Sequence, residues 1–150
     1  MAKELAKRLT KTKFDLFIGP EVKVVPLICA LAQKFNHKKF VICRKSVKPY
    51  MVAPVILKPL DYFPKHVRQL VIDGADAQYL KNKTVVIVDD VVSTGVTIRM
   101  MGKLMEKVGA KVAATVAVLK QGQQFDKIPN FITLGEIPIL APIKSGLTTP

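Results

Sequence analysis

The stretch TVVIVDDVVSTGVT, residues 84–97, decides the fold. Thr84 to Val88 form a continuous β-branched run, as in a strand buried on both faces of a sheet. Asp89 and Asp90 follow at the carboxyl end of that strand, then a small-residue turn. Beyond it, Ile98, Met101, Leu104, Met105 and Val108 make a helical stripe, and Gly109 stands where a C-cap belongs. KVAATVAVL, residues 111–119, reads as a second buried strand. Strand, turn, helix and strand make a βαβ unit, which predicts a mostly parallel sheet with a right-handed crossover.

Upstream, residues 2–9 read as a short amphipathic helix and FDLFIG, 14–19, as a buried strand ending in Gly. Residues 22–35 place Val25, Ile28, Leu31, Ala32 and Phe35 on one helical face, with Pro26 in the first turn where its missing N–H costs little. KFVIC, 39–43, is the next strand. Residues 47–64 differ in texture: Pro49, Pro54, Pro59 and Pro64 exclude a helix or a central strand and predict an excursion, edge hairpin or mobile loop. QLVID, 69–73, is a strand candidate and AQYL a single helical turn. The tail offers two apolar pieces, FITL and IPIL, broken by Pro138 and Pro142. With no repeat or linker, the economical reading is one α/β domain over residues 1–150.

Composition narrows the function classes. Hydrophobic residues are 49% and charged residues 23% of the 150, a globular balance. No apolar run approaches the roughly 20 residues that span a bilayer, and the start lacks a signal peptide's apolar core. A cytoplasmic protein with no membrane partner is the expectation. Cys29 and Cys43 lie in apolar stretches without a CxxC neighbour, so both read as reduced core residues. Twenty-four Lys and Arg against eleven Asp and Glu give +13. Residues 1–48 carry twelve basic and three acidic groups, a bias that suits a polyanionic partner. His37 in its Lys-rich turn and His66 beside a loop read as exposed; Met100, Met101 and Met105 read as core packing. Tyr50, Tyr62 and Phe63 read as hydrophobic loop contacts first, with stacking on a base as the alternative.

The chemistry concentrates at the end of the 84–88 run. Ligands of parallel α/β sheets bind beyond the strands' carboxyl ends. Adjacent carboxylates there repel each other unless something cationic or rich in hydroxyls satisfies them. A sugar diol does so, with a metal on its far side. Ser93, Thr94 and Thr97 add hydroxyls and a run of backbone N–H groups at a helix start, which suits a phosphate. Together they describe a ribose-5-phosphate site.

This segment resembles the signature of type I phosphoribosyltransferases: four apolar residues, two acids, two variable apolar residues, then a small-residue turn with Thr-Gly and a further Thr. The resemblance implies that Asp89 and Asp90 hold the ribose 2- and 3-hydroxyls, and that Val92, Ser93, Thr94, Gly95, Val96 and Thr97 hold the 5-phosphate. Many members carry a second Gly where this chain has Val96. GPEVKVVPLICALA, 19–32, is similar to the pyrophosphate loop and following helix of adenine phosphoribosyltransferases, with Lys23 in place of Arg. That likeness assigns Pro20, Glu21, Val22 and Lys23 to pyrophosphate, although Lys lacks Arg's bidentate geometry. In ICRKSVKPY, 42–50, Arg44, Lys45 and Lys48 match that family's Arg-Lys, two residues, Lys spacing and are assigned to the same group.

The resemblance covers about residues 14–120. It implies a mostly parallel twisted sheet with helices on both faces. It also implies transfer of ribose 5-phosphate from phosphoribosyl pyrophosphate to a purine base, adenine first, with pyrophosphate released, as in nucleotide salvage. Mg2+ is expected on the substrate, with no protein metal ligand assigned. The implied partners are the donor and a nucleobase, in a homodimer. About 13 residues precede the first core strand, so the N-terminal hood of such enzymes is reduced here. The family's Leu-Glu-Tyr-Gly-like segment near the base is not matched; Asp61 and Asp73 lie in that region without fitting it. The base pocket is therefore expected from 50–64, from 131–150 or from a partner subunit. The alternative, from another class, is a non-catalytic regulator that senses phosphoribosyl pyrophosphate and binds nucleic acid. No helix-turn-helix fits the N-terminal segment and no aromatic-basic surface is visible, which argues against nucleic acid. A P-loop hydrolase is disfavoured because GxxxxGK[ST] is absent.

Overall fold

Period-two alternation along the strands sorts the core into two layers, one on each side of the sheet. The computed structural model describes residues 1–59, 68–122, 125, 128 and 130–139. Its elements are α1 (Ala2–Leu9), β1 (Leu16–Pro20), α2 (Val25–Lys34), β2 (Val41–Cys43), β3 (Val55–Leu57), β4 (Leu70–Ile72), α3 (Gly74–Leu80), β5 (Thr84–Val92), α4 (Val96–Val108), β6 (Lys111–Gln121) and β7 (Phe131–Ile137). Five strands form the main sheet in the order β2-β1-β5-β6-β7, every neighbouring pair parallel. β3 and β4 form a separate antiparallel pair, tied to the end of β2 by a bridge between Val71 and Arg44.

On one face, Phe17 of β1 and Val86 and Val88 of β5 pack with Leu5 and Leu9 of α1 and Ile28 and Leu31 of α2. On the other, Leu16, Ile18, Val85 and Ile87 meet Met101, Leu104 and Met105 of α4, Leu80 of α3 and Leu70 and Ile72 of β4. Burial of each such side chain contributes about 2 kcal/mol. The expected mostly parallel sheet with helices on both faces is present, and the three methionines are core residues. Gly95 (φ 68°) and Gly109 (φ 75°) bracket α4 in the left-handed region that glycine adopts at little cost. The Gly109 N–H closes the helix on the Met105 and Glu106 carbonyls.

Several expectations need correcting. β5 does not stop at Val88: β6 runs alongside and carries the ladder through Asp89↔Ala117 to Val92↔Lys120. The acids are therefore part of the strand. β1 begins at Leu16; Asp15 leaves the strand and its carboxylate accepts the Thr84 N–H at 2.7 Å. α2 begins at Val25, because residues 21–24 form a turn. AQYL belongs to a seven-residue helix, α3. β4 joins no strand of the main sheet; it pairs with β3, so part of the proline-spaced excursion is the edge hairpin strand that was one of the alternatives. The tail's FITL extends into one strand, β7, next to β6. His37 is half-buried against Phe14, Phe17 and Phe35, ring centroids 5.1–5.9 Å away, and its Nδ1 is buried without a partner among the described residues. That apolar setting lowers its pKa, chiefly by burial. Cys43 is buried as expected, with its thiol pKa pushed up, but Cys29 is only half-buried. Tyr50 is exposed rather than packed. His66, Tyr62, Phe63 and Asp61 lie outside the described residues.

Candidate functional site

β1 and β5 are paired only through Ile18↔Ile87, so their carboxyl ends diverge and leave a cleft between them. Gly19 sits where they part. A Cβ there would lie 2.5 Å from Ile28 Cδ1 and 2.7 Å from the Val88 carbonyl oxygen, so only Gly lets β1 lie against β5 and α2. The cleft, about 260 Å³, is lined by Pro20, Glu21, Val22, Lys23, Lys45, Asp89, Asp90 and Thr97. Three segments separated by some twenty to fifty residues of sequence thus face one space.

Asp89 is buried at 8% exposure and Asp90 half-buried. Burial pushes the Asp89 pKa up to about 7, and the neighbouring Asp90 carboxylate adds to it. The Asp90 N–H, donating to Asp89 Oδ1 at 2.9 Å, and the charge of Lys45 pull the other way. At neutral pH this acid is poised between its two states. A ligand that brings hydroxyl donors relieves the cost of its charge.

Next to the acids, residues Val91–Ile98 curl around a small hollow of about 50 Å³. Ser93, Thr94 and Thr97 are exposed, while Val92, Gly95 and Val96 are buried beneath them. Gly95's positive φ turns the chain into the N-terminus of α4, thirteen residues long, so its first amide groups point at the hollow. Thr94 Oγ1 lies 3.4 Å from the Val96 N–H. The nearby Arg99 guanidinium donates to the Thr94 carbonyl at 2.8 Å, which braces the turn from outside.

On the other wall, Glu21 ties the β1 loop to the end of β2. Its backbone N–H donates to the Cys43 carbonyl at 2.9 Å; its carboxylate accepts the Lys45 N–H at 2.8 Å and pairs with Arg44 at 3.3 Å. Burial pushes the Glu21 carboxyl up, but the Lys45 amide, Arg44 and Lys48 outweigh it and hold it below its ordinary value. Of the three basic residues singled out beyond β2, the geometry brings only Lys45 to the cleft wall. Arg44 is engaged with Glu21, and Lys48 donates to Ser46 Oγ at 2.9 Å. Asp73 is used structurally, accepting the Val52 N–H at 2.8 Å.

A second hollow of about 270 Å³ opens on the α4 side of the turn. Lys45, Ser93, Thr94 and Thr97 line it again, with Arg68, Leu70, Val96 and Met100. Arg68 escaped the sequence reading. Its only local signal is a cation just before the apolar QLVID run, and it meets residues 93–97 through the fold alone.

Among the described residues no cluster of three or more His, Cys, Asp and Glu is placed to hold a metal, and no helix is long and apolar enough to cross a membrane. Residues 1–139 match the family described as phosphoribosyl transferase domain. The chain is 33% identical over 141 residues to an adenine phosphoribosyltransferase of Fervidobacterium nodosum, covering 93% of this chain and 76% of that one. It is 36% identical over 111 residues to the adenine phosphoribosyltransferase of Thermosipho africanus, covering 73% of this chain and 61% of the relative. Against that relative and one from Pseudothermotoga lettingae, it thus spans about three-fifths of their length. The crystal structure of adenine phosphoribosyltransferase from Thermoanaerobacter pseudethanolicus superposes with a TM-score of 0.75 at 27% identity, over 91% of this chain and 77% of that one.

Proposed function

The chain belongs to the phosphoribosyl transferase domain family, and from that premise we propose that it transfers ribose 5-phosphate from phosphoribosyl pyrophosphate to a purine base. Adenine is the first choice, since the relatives quoted above are adenine phosphoribosyltransferases. We read residues 1–150 as one such domain. The observation that carries the reading is the single cleft shared by the acid pair, the β1 loop and Lys45, with the phosphate turn at its edge.

The residues divide the donor between them. Ser93, Thr94, Thr97 and the first amides of α4 take the 5-phosphate. Asp89 and Asp90 accept hydrogen bonds from the ribose diol, which restores to the buried Asp89 the partners that burial removed. The Pro20–Lys23 loop and Lys45 take the pyrophosphate. As the bond at the anomeric carbon breaks, positive charge grows on the ribose, close to the two carboxylates. Negative charge grows on the leaving group, facing Lys23 and Lys45. The fixed groups thus match the transition-state charges better than those of the ground state. Little covalent chemistry is asked of the protein; holding the donor and excluding water do most of the work.

The donor set fits magnesium that arrives on substrate oxygens, because Asp89 and Asp90 face the cleft while Glu21, the third carboxylate of its lining, is engaged with Arg44 and the Lys45 amide. Asp89 and Asp90 would hold such an ion through the substrate, and it would supply charge screening for the leaving pyrophosphate.

The test is nucleotide formation from phosphoribosyl pyrophosphate and Mg2+ with adenine, guanine, hypoxanthine, xanthine, orotate and uracil in separate reactions. The expected result is AMP and pyrophosphate from adenine. Product from another base would move the specificity. No product from any base, with the donor still bound, would replace transfer by donor sensing.

A further inference from the structure

A phosphate monoester carries close to two negative charges at neutral pH. The turn that faces the 5-phosphate offers hydroxyls and amides, but its nearest arginine does not serve it. Arg99 is committed to the Thr94 carbonyl, on the outer side of the turn. The hollow on the α4 side shows where the missing charge comes from. There Arg68, exposed and just ahead of β4, shares one space with Lys45, Ser93, Thr94 and Thr97. Among the described residues no carboxylate pairs with Arg68 or with the Lys45 ammonium. Leu70, Val96 and Met100 form the apolar floor, which lowers the local dielectric and strengthens any ion pair above it.

We propose that Arg68 is a donor-binding residue, its guanidinium gripping the 5-phosphate from the side opposite the α4 amides. This rests on the reading of residues 93–97 as the phosphate turn. The fork of a guanidinium matches two phosphate oxygens at once, whereas Lys45 acts as a point charge shared with the pyrophosphate side. The 5-phosphate is then held by amides from one direction and by a cation from the other. The β3–β4 hairpin becomes part of the donor site, although neither of its strands joins the main sheet.

The experiment is calorimetric titration of ribose 5-phosphate and, separately, of magnesium pyrophosphate into the wild-type chain and into Arg68→Gln, Arg68→Lys and Lys38→Gln. Arg68→Gln should weaken ribose 5-phosphate about tenfold to a hundredfold and leave pyrophosphate within about twofold. Arg68→Lys should recover part of the loss. Lys38→Gln, which removes an exposed charge elsewhere, should change neither. In turnover, Arg68→Gln should raise the KM for the donor while the KM for the base stays fixed. Equal ribose 5-phosphate affinity in wild type and Arg68→Gln would overturn the assignment alone. Loss of pyrophosphate binding instead would also overturn it, placing Arg68 on the leaving group. Failure of the wild-type chain to bind ribose 5-phosphate would bring down the phosphate turn, and this proposal with it.

Discussion

Two parts of the molecule meet at the donor site, and they are built differently. The β5–α4–β6 unit is held by eight registered pairs between β5 and β6, with Val86 and Val88 fully buried. The β3–β4 hairpin has three pairs, and Val55, Ile56 and Leu57 are each half-buried. The first unit fixes groups whose positions matter for charge: Asp89, Asp90 and the 93–97 turn. The second only brings Arg68 up to them. Polar groups that must sit at fixed distances stand on the longest ladder, while exposed Arg68 stands just ahead of β4, a short buried strand whose partner β3 is half-buried.

Breaking the stiff part should produce the largest effects. Gly19→Val forces a side chain into the Val88 carbonyl and Ile28, so stability should fall by about 3 kcal/mol or more, read as the urea midpoint. An unchanged midpoint would show that β1 does not need that close approach. Next, Asp90→Asn should lower kcat/KM for the donor by about a hundredfold, about 2.7 kcal/mol, with little change in stability because Asp90 is only half-buried.

The third prediction separates stability from activity within the stiff part itself. Asp89 binds its proton more tightly folded than unfolded, since its pKa rises from 3.8 to about 7. Stability from this group is therefore greatest in acid, falls as pH rises from about 4 to about 7, and stays low above that. Asp89→Asn keeps an oxygen to accept the Asp90 N–H. It should raise stability by about 2 kcal/mol at pH 8 while abolishing donor use, and the gain should vanish near pH 4. Because variant and wild type share every other titrating group, the difference isolates this one. A gain independent of pH would contradict the burial argument. The smallest effect contrasts the two regions directly. Val86→Ala should cost about 2 kcal/mol and Val55→Ala about 1 kcal/mol or less, measured by chemical denaturation. Equal costs would show that the hairpin is as tightly packed as the central strand.

The same contrast explains what could be read from the sequence. β5, α4 and β6 were legible because burial on both faces writes a continuous β-branched run and burial on one face writes a helical stripe. The acids and the turn came with them, being adjacent in sequence. Even so, the ladder past Asp89 was missed, because a strand's end is set by its neighbour's length rather than by its own residues. The hairpin was not legible as such: β3 is short, half-buried and set among prolines, and β4, though fully buried, is three residues long, so neither strand shows its partner in the sequence. His37 shows the same limit. Its polar neighbours in sequence suggested solvent, while Phe14, Phe17 and Phe35 reach it through the fold. Arg68 became visible only when β4 carried it to a turn some twenty-five residues further along.

The most direct test of the account is calorimetric binding of phosphoribosyl pyrophosphate with Mg2+ to the wild-type chain, Asp90→Asn and Thr94→Val. The account predicts one saturable site in the wild type, weakened by at least about tenfold in each variant. No binding by the wild type, or equal binding by all three, would contradict it.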